Sequence, residues 1–175
     1  LLLSRILQNE IKINEQKRVN EKLEMESLTD HLTGVFNRRA WDTFLDLEED
    51  RCKTYGHPTT VIIIDLNDLK AINDKFGHSA GDQMIQKTAQ ILKKNVRSND
   101  LVARLGGDEF GILNIEMTLE NTQNLANRLL KSLQNAGINA AVGVAAREPS
   151  KNLRMAVIEA DEKMYQHKRQ IKVII

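Results

Sequence analysis

The chain has 175 residues, a length that suits one ordinary domain with a short extension, and it is long enough to bury a core without disulfide staples. Its 25 Lys plus Arg balance 24 Asp plus Glu, and aromatic residues make up only 4%, which argues against a dedicated nucleic-acid binder, a polybasic membrane protein or a base-stacking platform. The single cysteine, Cys52, excludes an internal disulfide and fits a reducing compartment. No apolar run approaches the ~18 residues of a membrane span. Leu1-Leu2-Leu3 is followed at once by Ser4 and Arg5, so it does not read as a signal peptide. The first residue is not methionine, and the expectation is a cytoplasmic piece of a longer protein.

Residues 1–28 contain no Gly or Pro and read as one continuous helix with a sparse apolar seam. Two heptad registers fit equally. One places Leu7, Ile11, Met25 and Leu28 on the seam, the other Leu2, Ile6, Ile13 and Leu23. Polar residues interrupt both, so the segment reads either as a solvated helix or as a parallel coiled coil that signals by shifting register. Thr33-Gly34 marks a turn, and Asn37 caps a helix from Arg38 to Tyr55 with Trp41, Phe44 and Leu45 facing inward. Gly56-His57-Pro58 breaks it. Val61 to Ile64 is β-branched and continuous, which suits a strand buried on both faces. A short helix ending at Phe76 and a longer one from Ala80 to Val96 follow. The runs Leu101–Leu105 and Glu109–Ile115 flank Gly106-Gly107, a hairpin signal because both glycines can take positive φ. A helix over Leu119–Gln134, a strand over Ala140–Ala145 and a helix over Leu153–Arg169 complete an α/β sandwich with an antiparallel hairpin in a mixed sheet.

The first chemical signal is Asp65, a carboxylate emerging from the end of a buried apolar strand. The second is Asp108-Glu109, directly after the glycine pair. If the hairpin packs beside the first strand, Asp65 and Asp108 converge. Clustered carboxylates repel unless a cation lies between them, and Mg²⁺ with bound phosphate is the usual occupant. Gly106 and Gly107 would let backbone amides and a triphosphate approach closely. The alternative is a tight hairpin with solvated acids.

Gly106-Gly107-Asp108-Glu109-Phe110 is identified, letter for letter, with the signature of the GGDEF domain, the diguanylate cyclase family. Further blocks carry the resemblance over roughly residues 29–170: Asp30 to Arg39 is similar to the family's opening motif, and Asp65 to Asp82 to its metal and guanine segment. Ala160-Asp161 with Met164-Tyr165 and Lys168 resembles its closing helix. The resemblance implies two domains, a helical linker over 1–28 and a cyclase domain over 29–175, the latter an α/β fold like polymerase palms and nucleotidyl cyclases. It also implies a homodimer that condenses two GTP into cyclic di-GMP and pyrophosphate. Two Mg²⁺ per active half-site, with Mn²⁺ as a substitute, would be held by Asp65, Asp108 and the Leu66 carbonyl, with Glu109 as a further ligand or proton acceptor. Asn73 and Asp82 would read the guanine edge, with Leu69, Gly106 and Gly107 also on the substrate side. Lys70 and Lys168 would contact phosphates as point charges; each also reads as an ordinary surface lysine, and Asp82 as a dipole-stabilised helix acid.

Arg97-Ser98-Asn99-Asp100 stands just before the signature and matches the family's inhibitory Arg-x-x-Asp pattern, implying a receptor for cyclic di-GMP as product and inhibitor. Its plainer reading is a helix-ending arginine with a turn aspartate. Arg104 also matches a position that the family often fills with arginine, without an assigned role. Two departures stand out. Asn67 replaces an aspartate common at the third position of the metal segment. Ile171-Lys172-Val173 stands where many members carry Gly-Arg-Asn, so Lys172 would replace a guanidinium fork by a point charge. His57 and His167 show no metal-ligand spacing, and Cys52 has no evident base partner. The expected whole is a bacterial cytoplasmic diguanylate cyclase domain, in a parent attached to a membrane or not, behind a covalently linked sensor. Neither DNA nor direct membrane contact is expected. The rival readings are a catalytically silent cyclic di-GMP receptor and a dimerisation module.

Overall fold

A computed structural model of the chain describes residues 10–19 and 27–173. Residues 10–19 form helix α1, in which every residue is exposed, including Ile11 and Ile13, one from each heptad register. A coiled-coil pairing is thus not displayed by this single chain, and the rest of the linker lies outside the described residues.

The body follows the chain order α2 (Arg38–Tyr55), β1 (Thr59–Leu66), α3 (Leu69–Phe76), α4 (His78–Asn95), β2 (Leu101–Arg104), β3 (Glu109–Ile115), α5 (Leu119–Asn135), β4 (Ala140–Ala146) and α6 (Leu153–Val173). Asn37 caps α2 through its side-chain oxygen, which accepts the Ala40 amide at 3.0 Å. Gly56 ends that helix in the left-handed region at φ 71°, donating its N–H to the Cys52 carbonyl.

The sheet runs β2-β3-β1-β4, and every named pairing is antiparallel. The expectation of a mixed sheet is corrected here. A β-α-α-β connection makes β1 and β2 point the same way, but β3 inserts between them, so each strand has only antiparallel neighbours. Parallel pairing among the described residues is confined to an isolated bridge between Phe36 and Ala103.

Alternation along β1 divides the core. Ile62, Ile64 and Leu66 pack with Leu92, Phe110 and Leu129 on the face covered by α4 and α5. Val61 and Ile63 face the other way, toward Trp41, Leu45, Ala156 and Ala160 of α2 and α6. That second face is built from small residues so that α6 can lie close. A Cβ on Gly143 would sit 1.8 Å from the Ala160 carbonyl, well inside contact distance. Asp65 has the parity of Val61 and Ile63, so strand geometry alone turns its carboxylate toward α6.

Candidate active site

Asp65 lies 6% exposed near the end of β1, opposite Glu109 of β3 in the ladder. Directly opposed like charges are unfavourable in a sheet unless something else holds them. Asp108 adjoins both: its carbonyl accepts the Leu66 amide at 3.0 Å, which fixes the signature turn against the end of β1. Asp161 of α6 also faces this cluster. Burial, together with the Asp65, Asp161 and Asp108 carboxylates, pushes the Glu109 carboxyl above its usual range, and Arg38 offsets only part of that. Lys168 reaches from α6 and hydrogen-bonds the Asp65 carboxylate. Asp161 and Arg38 both fall within the motif blocks of the sequence, but no pattern in it marks either as a site residue. Asp161 and Lys168 stand seven residues apart, two helical turns, which puts them on one face.

Gly106 and Gly107 are exposed, yet neither has positive φ, which corrects the expected turn chemistry. A left-handed backbone instead occurs at Asp68, with φ 66°, where the chain turns from β1 into α3. A Cβ on Gly107 would meet nothing within 4 Å. Glycine there leaves a bare approach to the carboxylates rather than satisfying a strained turn.

Arg104 holds the turn. Its guanidinium donates to the Gly107 carbonyl at 2.8 and 3.2 Å and to both oxygens of Asp30 at 3.3 Å. Asp30 in turn accepts the Thr33 amide at 3.0 Å and the Thr33 hydroxyl at 2.6 Å. Burial works against ionising Asp30, but Thr33 and Arg104 together hold its carboxyl below the usual range. The opening motif and the signature turn therefore form one hydrogen-bonded unit, which gives Arg104 a positioning role that spacing left open.

Where α3 packs on α4, Asn73 lies against Gly81, the residue before Asp82. A Cβ on Gly81 would lie 2.0 Å from Asn73 Oδ1, so only glycine lets the Asn73 amide pack against α4 at this point. Asn73 Oδ1 is buried without a hydrogen-bond partner, as are both polar atoms of the Asn67 side chain. Asp82 is exposed and sits beyond the first turn of α4, which weakens its reading as a dipole-stabilised acid. Lys70 is exposed, Leu69 is half-buried against the core, and the Lys172 side chain lies outside the described residues.

Arg97 and Asp100 sit at the turn between α4 and β2. The Asp100 carboxylate accepts the Arg97 amide at 3.0 Å and the Ile115 amide at 3.3 Å, so the turn-aspartate reading is realised. The Arg97 side chain is exposed beside a cleft of about 320 Å³ shared with Phe36, Lys93 and Val102.

An oxygen donor set of this charge suits a hard divalent cation, and the raised Glu109 carboxyl marks a place where added positive charge is favourable. An antiparallel four-stranded sheet with acids at the end of a central strand and a glycine turn beside them is the arrangement of the palm-like α/β class. The match to the family described as "Diguanylate cyclase, GGDEF domain" covers residues 27–172, and the chain belongs to that family. It is 33% identical over 171 residues to the probable diguanylate cyclase DgcC of Escherichia coli K12, covering 93% of this chain and 45% of that protein. It is 31% identical to the response regulator PleD of Caulobacter vibrioides, over 87% of this chain and 36% of that one. The chain thus spans less than half the length of these relatives.

Among solved structures, the coiled coil and GGDEF domain of DgcB from Caulobacter crescentus, in complex with c-di-GMP, superposes with TM-score 0.88. It covers 97% of this chain and 95% of that one at 22% identity, a likeness that speaks for the fold alone. A sensory box/GGDEF family protein from Caulobacter crescentus CB15 gives TM-score 0.74 at 32% identity, covering 82% and 99%. No helix among the described residues is long and apolar enough to cross a membrane.

Proposed function

We propose that the chain is the catalytic domain of a diguanylate cyclase, condensing two GTP into cyclic di-GMP and two pyrophosphates across a homodimer. The observation that carries this reading is the cross-strand pair of buried Asp65 and half-buried Glu109, with Asp108 tied to Leu66, facing a glycine turn that leaves the approach open. Asn73, packed on Gly81, and the adjoining Asp82 would offer an amide and a carboxylate to guanine. A carboxylate accepts both N1–H and N2–H, a pair of donors that adenine lacks. Mg²⁺ bound by Asp65, Asp108 and the Leu66 carbonyl, with Glu109 as a further ligand or proton acceptor, would supply Lewis acidity toward the 3′-hydroxyl and the departing pyrophosphate.

Lys168 neutralises Asp65 in the ligand-free chain, and its ammonium is placed to transfer to the triphosphate once cation charge replaces it. Lys70 adds positive charge on the phosphate side, and the family resemblance gives Lys172 the same role. Each half-site is open to solvent, so attack of one GTP on the α-phosphate of the other needs a second copy facing it. Control then lies in dimer geometry, set by the N-terminal helix and by an upstream sensor. Product bound at the exposed Arg97, with Asp100 at the same turn, would hold the half-sites apart.

Incubating the purified chain with Mg²⁺ and GTP over a concentration series, with nucleotides separated by chromatography, tests the proposal. Cyclic di-GMP and pyrophosphate are expected, with specific activity rising with protein concentration and falling about 10³-fold or more in Asp108→Asn. No turnover at any concentration, with cyclic di-GMP still bound, would replace the cyclase by the silent receptor.

A further inference from the structure

At the opposite end of β1 a second cluster of buried polar side chains lies outside the catalytic machinery. Glu48 and Cys52 stand one turn apart on α2, 3% and 2% exposed. The left-handed turn at Gly56 folds the chain back so that His57 comes over the helix end. His57 Nε2 lies 2.7 Å from Glu48 Oε1 and 3.7 Å from Cys52 Sγ, and Sγ lies 3.8 Å from the same carboxylate oxygen. This overturns the expectation that Cys52 lacks a partner and that His57 has no ligand spacing. Among the described residues these are the only three His, Cys, Asp or Glu side chains whose ligand atoms all lie within 4.8 Å of one another.

We infer that Glu48, Cys52 and His57 form a binding site for a borderline-soft divalent metal, Zn²⁺ by its donor set of one sulfur, one imidazole nitrogen and one carboxylate oxygen. With Zn–S about 2.3 Å, Zn–N about 2.0 Å and Zn–O about 2.1 Å, tetrahedral ligation sets donor atoms roughly 3.4–3.6 Å apart. Both edges from Sγ already have nearly that length. Only the His57–Glu48 edge must open, by about 0.7 Å.

The surroundings complete the site. Thr59 Oγ1 donates to Glu48 Oε1 at 2.8 Å and lies 3.2 Å from Sγ, where it can turn its hydrogen toward a thiolate. Arg51 holds the other Glu48 oxygen at 3.3 Å, leaving Oε1 for the metal. Arg147 also acts on the thiol, but its charge is taken up by a bidentate pair with Glu49. Cys52, His57, Pro58 and Arg147 line an open cleft of about 540 Å³, which provides an entry path and room for water as the fourth ligand. Burial and the Glu48 charge keep the thiol protonated in the metal-free chain, so loading releases its proton and moves the imidazole hydrogen to Nδ1. Thr59 and Asp65 are six strand residues apart, about 20 Å, so this site is distinct from the Mg²⁺-binding acids.

Titrating the metal-free chain with Co²⁺ as an optical probe tests the assignment. A thiolate-to-cobalt charge-transfer band is expected, displaced by Zn²⁺, absent in Cys52→Ser, and formed more than about 100-fold more weakly in His57→Gln. Zn²⁺ should also raise Tm in the parent chain and in neither variant. Absence of the band in the parent chain, or a band of unchanged affinity in His57→Gln, would overturn the site. If Cys52→Ser fails to fold, His57→Gln alone decides, because its side chain sits in the loop after α2.

Discussion

The two ends of the sandwich treat their shielded acids in opposite ways. Near the outer end of α2, Glu49 is 9% exposed and fully engaged. It takes both arms of Arg147 at 2.8 and 2.9 Å and caps α6 by accepting the Leu153 amide at 2.7 Å. The Arg147 hydrogen bonds lower its carboxyl below the usual range and outweigh the cost of burial. At the other end, Glu109 meets Asp65, Asp108 and Asp161 with only Arg38 in partial compensation, and its carboxyl is raised. A buried acid with its counter-charge in place reads as structure. A half-buried acid among like charges, Asp65 buried beside it, reads as a site that awaits a cation.

The first ways to break this contrast have the largest expected effects. Asp108→Asn should abolish nearly all turnover while leaving Tm unchanged or higher, because it removes one of the repelling charges. Glu49→Gln should do the reverse: it leaves Arg147 buried without a counter-charge and costs about 3 kcal/mol, or roughly 6–12 °C in Tm, with little change in activity per folded molecule. The sign of the pH dependence follows. Folding lowers the Glu49 pKa, so its contribution is present above the unfolded value of 4.5 and is lost as pH falls through the folded value. The difference in Tm between the parent chain and Glu49→Gln should therefore shrink on acidification through that window. A constant difference would mean that packing, not charge, ties α2 to α6.

Most of the fold was legible in the sequence because its signals are local. The Asn37 cap and Gly56 stop fixed α2, and the β-branched run of β1 announced a strand buried on both faces. The strand order was not legible. Nothing local distinguishes β3 inserting between β1 and β2 from β3 lying outside them, and that insertion is what makes the sheet antiparallel. At the site, the signature and metal segment gave Asp65, Asp108, Glu109, Asn73 and Asp82 as residues, while their grouping needed strand parity and the Gly81 contact. Arg104 escaped assignment because its partner Asp30 is 74 residues away in sequence. The Glu48–Cys52–His57 group escaped because its assembly depends on the reversal of the chain at Gly56.

The Arg104 clamp offers an intermediate test between the two ends. Arg104→Ala removes the hydrogen bonds to the Gly107 carbonyl and to Asp30, loosening the turn that carries Asp108 and Glu109 without touching either carboxylate. Turnover should fall about tenfold, the cost of roughly one to two kcal/mol of lost positioning, with KM for GTP less affected than kcat. Arg104→Lys should restore little, since one ammonium cannot reach a carbonyl and a carboxylate in the same fork. Full rescue by lysine would reduce the residue to a simple positive charge near the turn.

The smallest effect is also the most direct test of the charge argument, because it concerns stability rather than turnover. Folding raises the Glu109 pKa, so the folded chain binds more protons than the unfolded one between 4.5 and the folded value, and stability falls as pH rises through that window. The penalty is then fully present above the folded value and absent below 4.5. Glu109→Gln should accordingly raise Tm at neutral pH in chelator-treated buffer, by no more than about 2 °C because solvent screens a half-exposed group. The gain should vanish on acidification, the opposite of the Glu49→Gln trend. Mg²⁺ should raise the Tm of the parent chain and narrow the gap to the variant, since the cation supplies the compensation that the substitution makes unnecessary. A Glu109→Gln chain less stable than its parent at neutral pH would show that the acid is already neutralised within the protomer, and the contrast between the two ends would fail.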